Sequence, residues 1–179
     1  MIEHILEMID AGIDSFKIEG RMKTALYVAT VARTYRKAID DYLEDPKKYE
    51  ANMPWYKDQI ASCTYRQFTT GFFYGRPDEN TQIYDNNTYV KEYTYLGIVG
   101  EVDAEGRCRI EQRNKFSVGE QIEIMKPDGQ NVEATVEKII DEDGNEQESA
   151  PHPKQVLYVA LSADASVYDI LRRAEKETE

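Results

Sequence analysis

The segment from Gly12 to Lys23 limits the fold of this 179-residue chain more than any other stretch. Residues 13–19 alternate in polarity, which predicts a β-strand with Phe16 and Ile18 on one face and polar side chains on the other. A polar turn and a long helix follow it. Such a strand needs neighbouring strands, yet the sequence shows no second strand–helix unit before it changes to the pattern of short antiparallel strands. We therefore interpret this part as the last β/α unit of a TIM-like barrel whose other units lie upstream in a larger protein.

Helical periodicity surrounds the predicted strand. Before it, isoleucine and leucine residues at helical spacing predict a short amphipathic helix that Gly12 ends. After it, Thr24 is a candidate N-cap for a long helix that ends before Asp45–Pro46. A second, weaker helix is predicted over 53–67, with Pro54 in its first turn. The apolar stripe of the long helix consists of Ala25, Val28, Ala29, Ala32, Tyr35, Ile39, Tyr42 and Leu43.

From residue 93 onward the pattern changes to short strands separated by turn residues. The predicted strands are 93–102, 107–112, 121–125, 132–140, 156–161 and 168–171. Roughly six or seven short antiparallel strands predict a small closed barrel, because closure removes exposed sheet edges. The chain is accordingly predicted to be α+β. Its expected parts are 1–77 as the barrel remnant with linking helices, 78–88 as a connector, and 89–179 as the β-barrel domain.

The composition excludes several classes of function. The formal net charge is −12, so bulk electrostatic attraction to nucleic acid is excluded and any RNA contact has to be local. No apolar run long enough to cross a membrane and no signal-like N-terminus is visible, which indicates a cytoplasmic protein. Cys63 and Cys108 are the only thiols and suit a reducing compartment, although one disulfide between them is compatible with the sequence. The ligand spacing of a metal site is absent, so we predict no metal or cofactor in this chain.

Lys17, Glu19 and Arg21 are the candidate catalytic residues. Alternate positions at the carboxyl end of a barrel strand would place an ammonium, a carboxylate and a guanidinium around one active-site mouth. Arg21 could bind a carboxylate or phosphate through two parallel hydrogen bonds, and Glu19 could orient it or act as an acid or base. The structural alternative is an ion pair between Lys17 and Glu19.

Arg107, Arg109, Arg113 and Lys115 form the dense basic patch of the acidic second half. Alternation places the three arginines on one side of a strand with Glu111 between them, and we predict contact with RNA phosphates there. The alternative is a solvated strand face with cross-strand ion pairs. Cys108 and Ile110, which alternate with the arginines, are predicted to lie in the core.

Two aromatic groups flank the predicted connector and could offer surfaces on which nucleic-acid bases stack. They are Phe72, Phe73 and Tyr74 on one side, and Tyr89, Tyr93 and Tyr95 on the other. The alternative is that they pack an interface near the domain junction.

Three ordered motifs resemble a known family. The first comprises residues 12–23 with Tyr27-Val28 and Tyr35-Arg36, the second is Thr69–Phe73, and the third is Ile110–Glu120. Together they are similar to the C-terminal half of the collagenase-like peptidases, unclassified peptidase family thirty-two (U32). The resemblance extends over essentially the whole chain.

This resemblance implies an upstream barrel domain and a C-terminal β-barrel similar to domain 2 of translation elongation factors. Family members are described as proteases, and related members take part in hydroxylating tRNA or ribosomal RNA with iron–sulfur chemistry in the full-length protein. The cysteine-containing signature of the family lies in the barrel and has no match in this chain. The resemblance therefore places the catalytic part largely upstream.

Three functional hypotheses remain open at this point. The chain is the C-terminal part of a collagenase-like peptidase whose β-barrel binds a substrate or partner, or part of an RNA-modification protein whose barrel contacts RNA, or a protein-interaction module. Because the strand predicted at 13–19 lacks barrel neighbours, we also expect it to gain partners through homodimerisation, strand exchange or coverage by a helix.

Overall fold

The computed structural model describes residues 1–63, 70–76 and 93–175. The chain divides into two compact units, Met1–Glu92 and Tyr93–Glu179. Helices occupy the first unit and antiparallel strands the second, so the chain is α+β. The connector predicted at 78–88 lies outside the described residues. None of the described helices is long and apolar enough to span a membrane.

The first unit opens with a 3₁₀ turn at Ile2–His4 and a short helix, α1, at Ile5–Asp10. Gly12 ends this helix as predicted, with a φ of +78°. The Gly12 N–H donates to the Ile9 carbonyl at 2.9 Å, and the next N–H in the chain donates back into the last turn of α1. A left-handed glycine at this position allows the chain to satisfy the last helical carbonyls.

Two long helices follow, α2 at Ala25–Glu44 and α3 at Pro46–Ala61. The predicted cap of α2 is confirmed, because the Thr24 hydroxyl accepts a hydrogen bond from the Tyr27 N–H at 3.2 Å. The predicted start of α3 at 53–54 is wrong. Asp45 caps α3 by accepting from the Lys47 N–H at 3.0 Å, and a proline occupies the first helical position, where its missing N–H costs nothing. Pro54 lies inside the helix.

The predicted burial of α2 is only partly observed. Val28 and Leu43 of the predicted apolar stripe are 41% and 65% exposed. The helix instead packs a face of mixed polarity against α3. The buried residues of α2 are Leu26, Thr30, Val31, Arg33, Thr34, Ala38 and Asp41. The covered face of α2 therefore combines apolar packing with polar contacts to α3.

Residues 13–20 form neither strand nor helix, so the strand predicted at 13–19 is not observed. A β-strand needs a neighbour with which to exchange backbone hydrogen bonds, and none of the strands in the described part of the chain pairs with this segment. The segment lies against the helices instead, where Phe16 is half-buried while Ile13 and Ile18 stay largely exposed. The predicted TIM-like β/α unit is not confirmed.

The second unit is an antiparallel sheet of seven strands. They are β1 (Tyr93–Val102), β2 (Cys108–Glu111), β3 (Gln121–Met125), β4 (Asn131–Asp141), β5 (Glu146–Gln147), β6 (Val156–Leu161) and β7 (Ile170–Ala174). The strand order is β3-β7-β1-β2-β6-β4-β5, and β3 pairs with β4 as well. That pairing closes a ring of six strands, with β5 added at one end of β4.

The inner faces of these strands form one apolar core. Cys108 and Ile110, on the inward face of β2, are each 1% exposed, as the alternation predicts. Gly97 is needed where β1 and β2 approach, since a Cβ there would lie 3.1 Å from the Glu111 carbonyl oxygen. Other core residues are Leu96, Val99, Phe116, Ile122, Ile124, Val136, Ile139, Leu157, Val159 and Leu171.

Candidate functional site

The predicted catalytic residues Lys17, Glu19 and Arg21 lie on an exposed turn before α2. The Glu19 carboxylate accepts a hydrogen bond from the Arg21 N–H at 2.8 Å, and the Lys23 N–H donates to the Gly20 carbonyl at 2.9 Å. Glu19 therefore holds the backbone that carries Arg21. An ion pair between Lys17 and Glu19 is not formed, and the described part of the chain provides no ion-pair partner for Lys17 or Arg21.

Gly20 fixes how closely this turn approaches α2. A Cβ at Gly20 would lie 2.8 Å from Cγ2 of Val28, closer than carbon atoms pack. Because valine is β-branched and stiff about χ1, the methyl group cannot rotate away freely. The pair Gly20–Val28 thus sets the position of Glu19 and Arg21 relative to the first turns of the helix.

A cavity of about 720 Å³ lies within the first unit between residues 13–19, the 3₁₀ turn and the helices α2 and α3. Lys17 and Glu19 line it, but Arg21 does not. Lys57 also lines it and is ion-paired with Glu3 at 2.5 Å. Most of the remaining lining is apolar or aromatic. A concave site with a few charged groups among apolar walls suits a ligand with an apolar body and a charged group.

A buried carboxylate, Asp41, joins α2 to α3. It accepts hydrogen bonds from Tyr56 Oη at 2.5 Å, Lys37 Nζ at 2.8 Å and Asn52 Nδ2 at 2.9 Å, and Lys48 is ion-paired with it at 3.1 Å. Burial alone would raise the pKa of Asp41, but these hydrogen bonds outweigh it and hold the pKa well below its usual range. The network connects the two helices. The spacing of Lys37 and Asp41 is the one signal for it in the sequence.

Arg107 of the predicted RNA-binding patch is held within its own turn. Its Nε donates to Asp103 Oδ2 at 2.6 Å, and its guanidinium also pairs with Glu105. Burial acts to raise the pKa of Asp103, but the hydrogen bonds from Arg107 lower it overall. This arginine is therefore neutralised by two neighbouring carboxylates.

The rest of the patch is mostly neutralised as well. Arg113 is ion-paired with Glu111 at 2.9 Å, and Arg109 lies 3.8 Å from Glu142. Within the described ranges, the Lys115 ammonium has no carboxylate partner. The contacts agree with the alternative of a solvated strand face with ion pairs. Lys115 is thus the member of the patch whose charge no described carboxylate offsets.

The aromatic residues before the predicted connector pack within the first unit. Tyr74 donates from its hydroxyl to Glu7 Oε2 at 2.7 Å, and its ring meets His4 edge-on, with 5.2 Å between centroids. Phe73 lies 5.6 Å from the same imidazole. Phe72 remains 78% exposed. Two of the three rings therefore stabilise the start of the chain.

The aromatic residues after the predicted connector are less accessible for base stacking than the sequence predicts. Tyr89 lies outside the described residues, and Tyr95 is half-buried. The Tyr93 ring lies 3.9 Å from the guanidinium carbon of Arg172, which is 1% exposed and donates from Nε to Glu123 Oε1 at 2.5 Å. Tyr93 thus covers a buried ion pair.

The two cysteines do not suit an iron–sulfur cluster. Cys63 and Cys108 are buried in different units and form no disulfide. Burial raises the pKa of the Cys108 thiol to about 11, so it is protonated at neutral pH. Clusters are held by several thiolates, and among the described residues no group of three His, Cys, Asp or Glu side chains is arranged to hold a metal.

Family models match nearly the whole chain. The model of peptidase family U32 matches residues 1–83, and the model of the peptidase family U32 C-terminal domain matches residues 91–172. The chain therefore belongs to peptidase family U32, as its three motifs indicate.

Proteins similar to this chain carry two different kinds of name. The tRNA hydroxylation protein P1 of Bacillus subtilis is 39% identical over 176 residues, which cover 98% of this chain and 42% of that protein. A collagenase of Porphyromonas gingivalis is 37% identical over 97 residues, which cover 54% of this chain and 26% of that protein. The chain spans roughly two fifths of the length of the tRNA hydroxylation proteins that match it over almost its whole length.

A solved structure matches about half of the chain. It is the crystal structure of the C-terminal domain of a Geobacillus thermoleovorans protein assigned to the U32 peptidases. Its sequence is 35% identical, its TM-score is 0.41, and the match covers 46% of this chain and 92% of that one.

Proposed function

We propose that this chain is the C-terminal part of a U32 protein that takes part in tRNA hydroxylation. The observation that carries the proposal is the 39% identity to the tRNA hydroxylation protein P1 over 98% of the chain, because it includes both units. The similarity to the collagenase covers 54% of the chain. A protein that acts on tRNA is expected to work in the cytoplasm.

The turn before α2 supports a contact with an anionic group of the RNA. Lys17 supplies an exposed ammonium at the cavity, and Arg21 supplies a guanidinium that can bind a phosphate with two hydrogen bonds. Glu19 acts as a positioning residue, since its carboxylate holds the Arg21 N–H. The hydroxylation chemistry, with the iron–sulfur cluster that the family resemblance implies, is assigned to the upstream part of the longer protein.

The second unit is proposed to bind the substrate or a partner. Its strands close into a ring of six, and we propose that this ring is a barrel similar to domain 2 of elongation factors. To bind RNA, the three arginines Arg107, Arg109 and Arg113 would each have to give up a carboxylate in order to pair with a phosphate. This exchange reduces the binding free energy gained from each contact. Lys115 has no carboxylate among the described residues to give up, so we expect it to contribute most of the four to RNA binding.

The first unit is proposed to dock on another part of the protein. Ile13, Ile18, Val28 and Leu43 are all at least 40% exposed. Three of them, Ile13, Ile18 and Leu43, line one groove between residues 13–18 and α2. Apolar surfaces of this kind mark interaction sites. The proposed occupant is the upstream barrel domain, and a second copy of the chain is expected to cover the surface when that domain is absent.

A chimera tests the proposed function. In Bacillus subtilis P1, the matching region is replaced by residues 1–179 of this chain, and hydroxylated nucleosides in tRNA are measured by mass spectrometry in a strain without its own P1. We expect hydroxylation to be retained. A double change of Lys17 and Arg21 to alanine should abolish most of it, whereas Arg36→Ala on α2 should not, because Arg36 is exposed and paired with Asp40.

Two results would contradict this proposal. A stable chimera that leaves tRNA unmodified would remove the proposed role of the chain. Equal hydroxylation by the Arg36→Ala chimera and the double variant would remove the proposed role of the turn.

The peptidase hypothesis is the second candidate, and the similarity to the collagenase is the observation that favours it. It predicts that the chimera or the longer natural protein degrades denatured collagen. Release of peptides that is unchanged by replacing Glu19 with glutamine would argue against a catalytic carboxylate in this chain.

A further inference from the structure

Tyr168 has an unusual backbone in the second unit. Its φ is +76°, in the left-handed region that side chains disfavour, and it is 73% exposed. Among the described residues, Lys154 is the one other non-glycine residue with a positive φ. Because glycine would fit this backbone without strain, the presence of a large aromatic residue requires another explanation.

The turn that carries Tyr168 is held rigidly. Its N–H donates to the Val99 carbonyl at 2.8 Å, and the Val99 N–H donates to the Asp169 carbonyl at 2.9 Å. The buried Asp169 carboxylate accepts from the Ser166 N–H at 2.8 Å and is ion-paired with Lys126 at 3.1 Å. The fold therefore fixes both sides of Tyr168 while the ring itself contributes little packing.

Apolar residues next to Tyr168 in the chain and next to its partner Val99 on β1 are exposed as well. Val167 is 42% exposed, and Ile98, which precedes Val99 on β1, is 36% exposed. Lys126 nearby is bound by Asp169 and also donates to the Asp164 carbonyl at 3.2 Å. A ligand bound at Tyr168 would therefore meet an exposed aromatic ring on a turn that also carries the exposed Val167 side chain. Strained backbone that the surrounding structure fixes is typical of binding sites.

Resting on the proposed function, we propose that Tyr168 is an RNA contact on which an unpaired base of the tRNA stacks. Every base has a π-face that an exposed aromatic ring can cover, and such stacking does not need an excess of positive charge. This suits a chain of net charge −12 whose barrel arginines are paired with carboxylates. The rigid turn reduces the entropy lost when the ring is covered.

The test uses the 179-residue chain and total tRNA of Bacillus subtilis, with affinity measured by filter binding at low and moderate salt. Tyr168→Gly removes the ring and fits the backbone, while Tyr168→Phe keeps the ring. We expect Tyr168→Gly to weaken binding about tenfold at both salt concentrations, because stacking is not electrostatic. Its melting temperature should not fall, since glycine relieves the left-handed strain. Tyr168→Phe should bind like the wild type.

Lys154→Gly is the matched control, because it relieves the same left-handed backbone strain in another turn. It should leave the affinity near that of the wild type. If wild-type protein binds tRNA and Tyr168→Gly binds it equally well, stacking on Tyr168 is refuted while the proposed function stands. If the wild type binds no tRNA, stacking on Tyr168 is refuted as well, and the chimera alone decides the proposed function.

Three further results would overturn the inference alone. A loss confined to low salt would indicate an electrostatic contact, and an equal loss in Tyr168→Phe would assign the effect to the hydroxyl group. A Tyr168→Gly chimera with P1 that binds tRNA normally but no longer supports hydroxylation would indicate a protein contact instead.

Discussion

Replacing Asp41 with alanine is expected to destabilise the first unit strongly. The carboxylate is 4% exposed, so its removal leaves the buried Tyr56 hydroxyl and the half-buried Asn52 amide without their acceptor. A buried donor left unsatisfied costs about 1–3 kcal/mol, and breaking a buried ion pair costs about 3–5 kcal/mol. Because Lys37 and Lys48 are 30% and 40% exposed and can regain water, we take the lower part of that range, about 3 kcal/mol.

Fluorescence of Trp55 can measure this change, because Trp55 is the single tryptophan and lies on α3. Its ring centroid is 5.8 Å from that of Tyr56, so the signal reports the unfolding of the first unit. A loss of about 3 kcal/mol moves the urea midpoint down by about 2 M when m is about 1.5 kcal/mol/M. Asp40→Ala is the control, since Asp40 is 61% exposed and its pair with Arg36 contributes little.

The reasoning would be refuted if Asp41→Ala and Asp40→Ala shifted the urea midpoint equally. The network also has a pH signature. The folded-state pKa of Asp41 lies below its unfolded value, so its stabilisation is complete above the unfolded pKa of about 3.9 and is lost as the pH falls toward the folded-state value. The midpoint of the wild type should therefore fall below about pH 4 more steeply than that of Asp41→Asn.

Further expectations concern packing and reactivity. Gly20→Ala should cost about 1–3 kcal/mol in urea unfolding, because its Cβ would lie 2.8 Å from Val28 Cγ2; an unchanged midpoint would contradict this contact. Arg172→Met should lower the melting temperature of the second unit by about 10 °C, read from near-UV circular dichroism, since it leaves Glu123 unpaired; no change would show that the pair is not buried in solution. Cys108, whose pKa burial raises to about 11, should react with iodoacetamide at pH 8 about a hundredfold more slowly than in the unfolded chain. Equal rates would refute its burial.

The strands of the second unit could be predicted because each buries one face. Alternation and turn residues give the observed bounds of β1, β3 and β6. Strand β5 has only two residues, Glu146 and Gln147, and both are polar. It pairs with the end of β4 through backbone hydrogen bonds, so its sequence carries no apolar signal.

Part of the candidate site could be predicted as well. The spacing of Lys17 and Glu19 does bring both to one cavity, but Arg21 lies outside its lining because residues 13–20 do not alternate as a strand. The left-handed conformation of Tyr168 could not be predicted from the sequence, because tyrosine disfavours a positive φ. The hydrogen bonds to Val99 hold it there.

The burial of α2 shows why part of the first unit could not be predicted. A helical pattern shows which face is apolar, but not which element covers that face. On the apolar face of α2, Val28 and Leu43 are 41% and 65% exposed, and Leu43 lines a groove with residues 13–18. The face with Asp41 is buried by α3, with hydrogen bonds between the two helices. A helix that buries polar side chains beside apolar ones is stable only if the buried polar groups are satisfied, and Asp41 is satisfied by its hydrogen bonds to α3. The same arrangement leaves the apolar face free for the upstream domain that we propose as its partner.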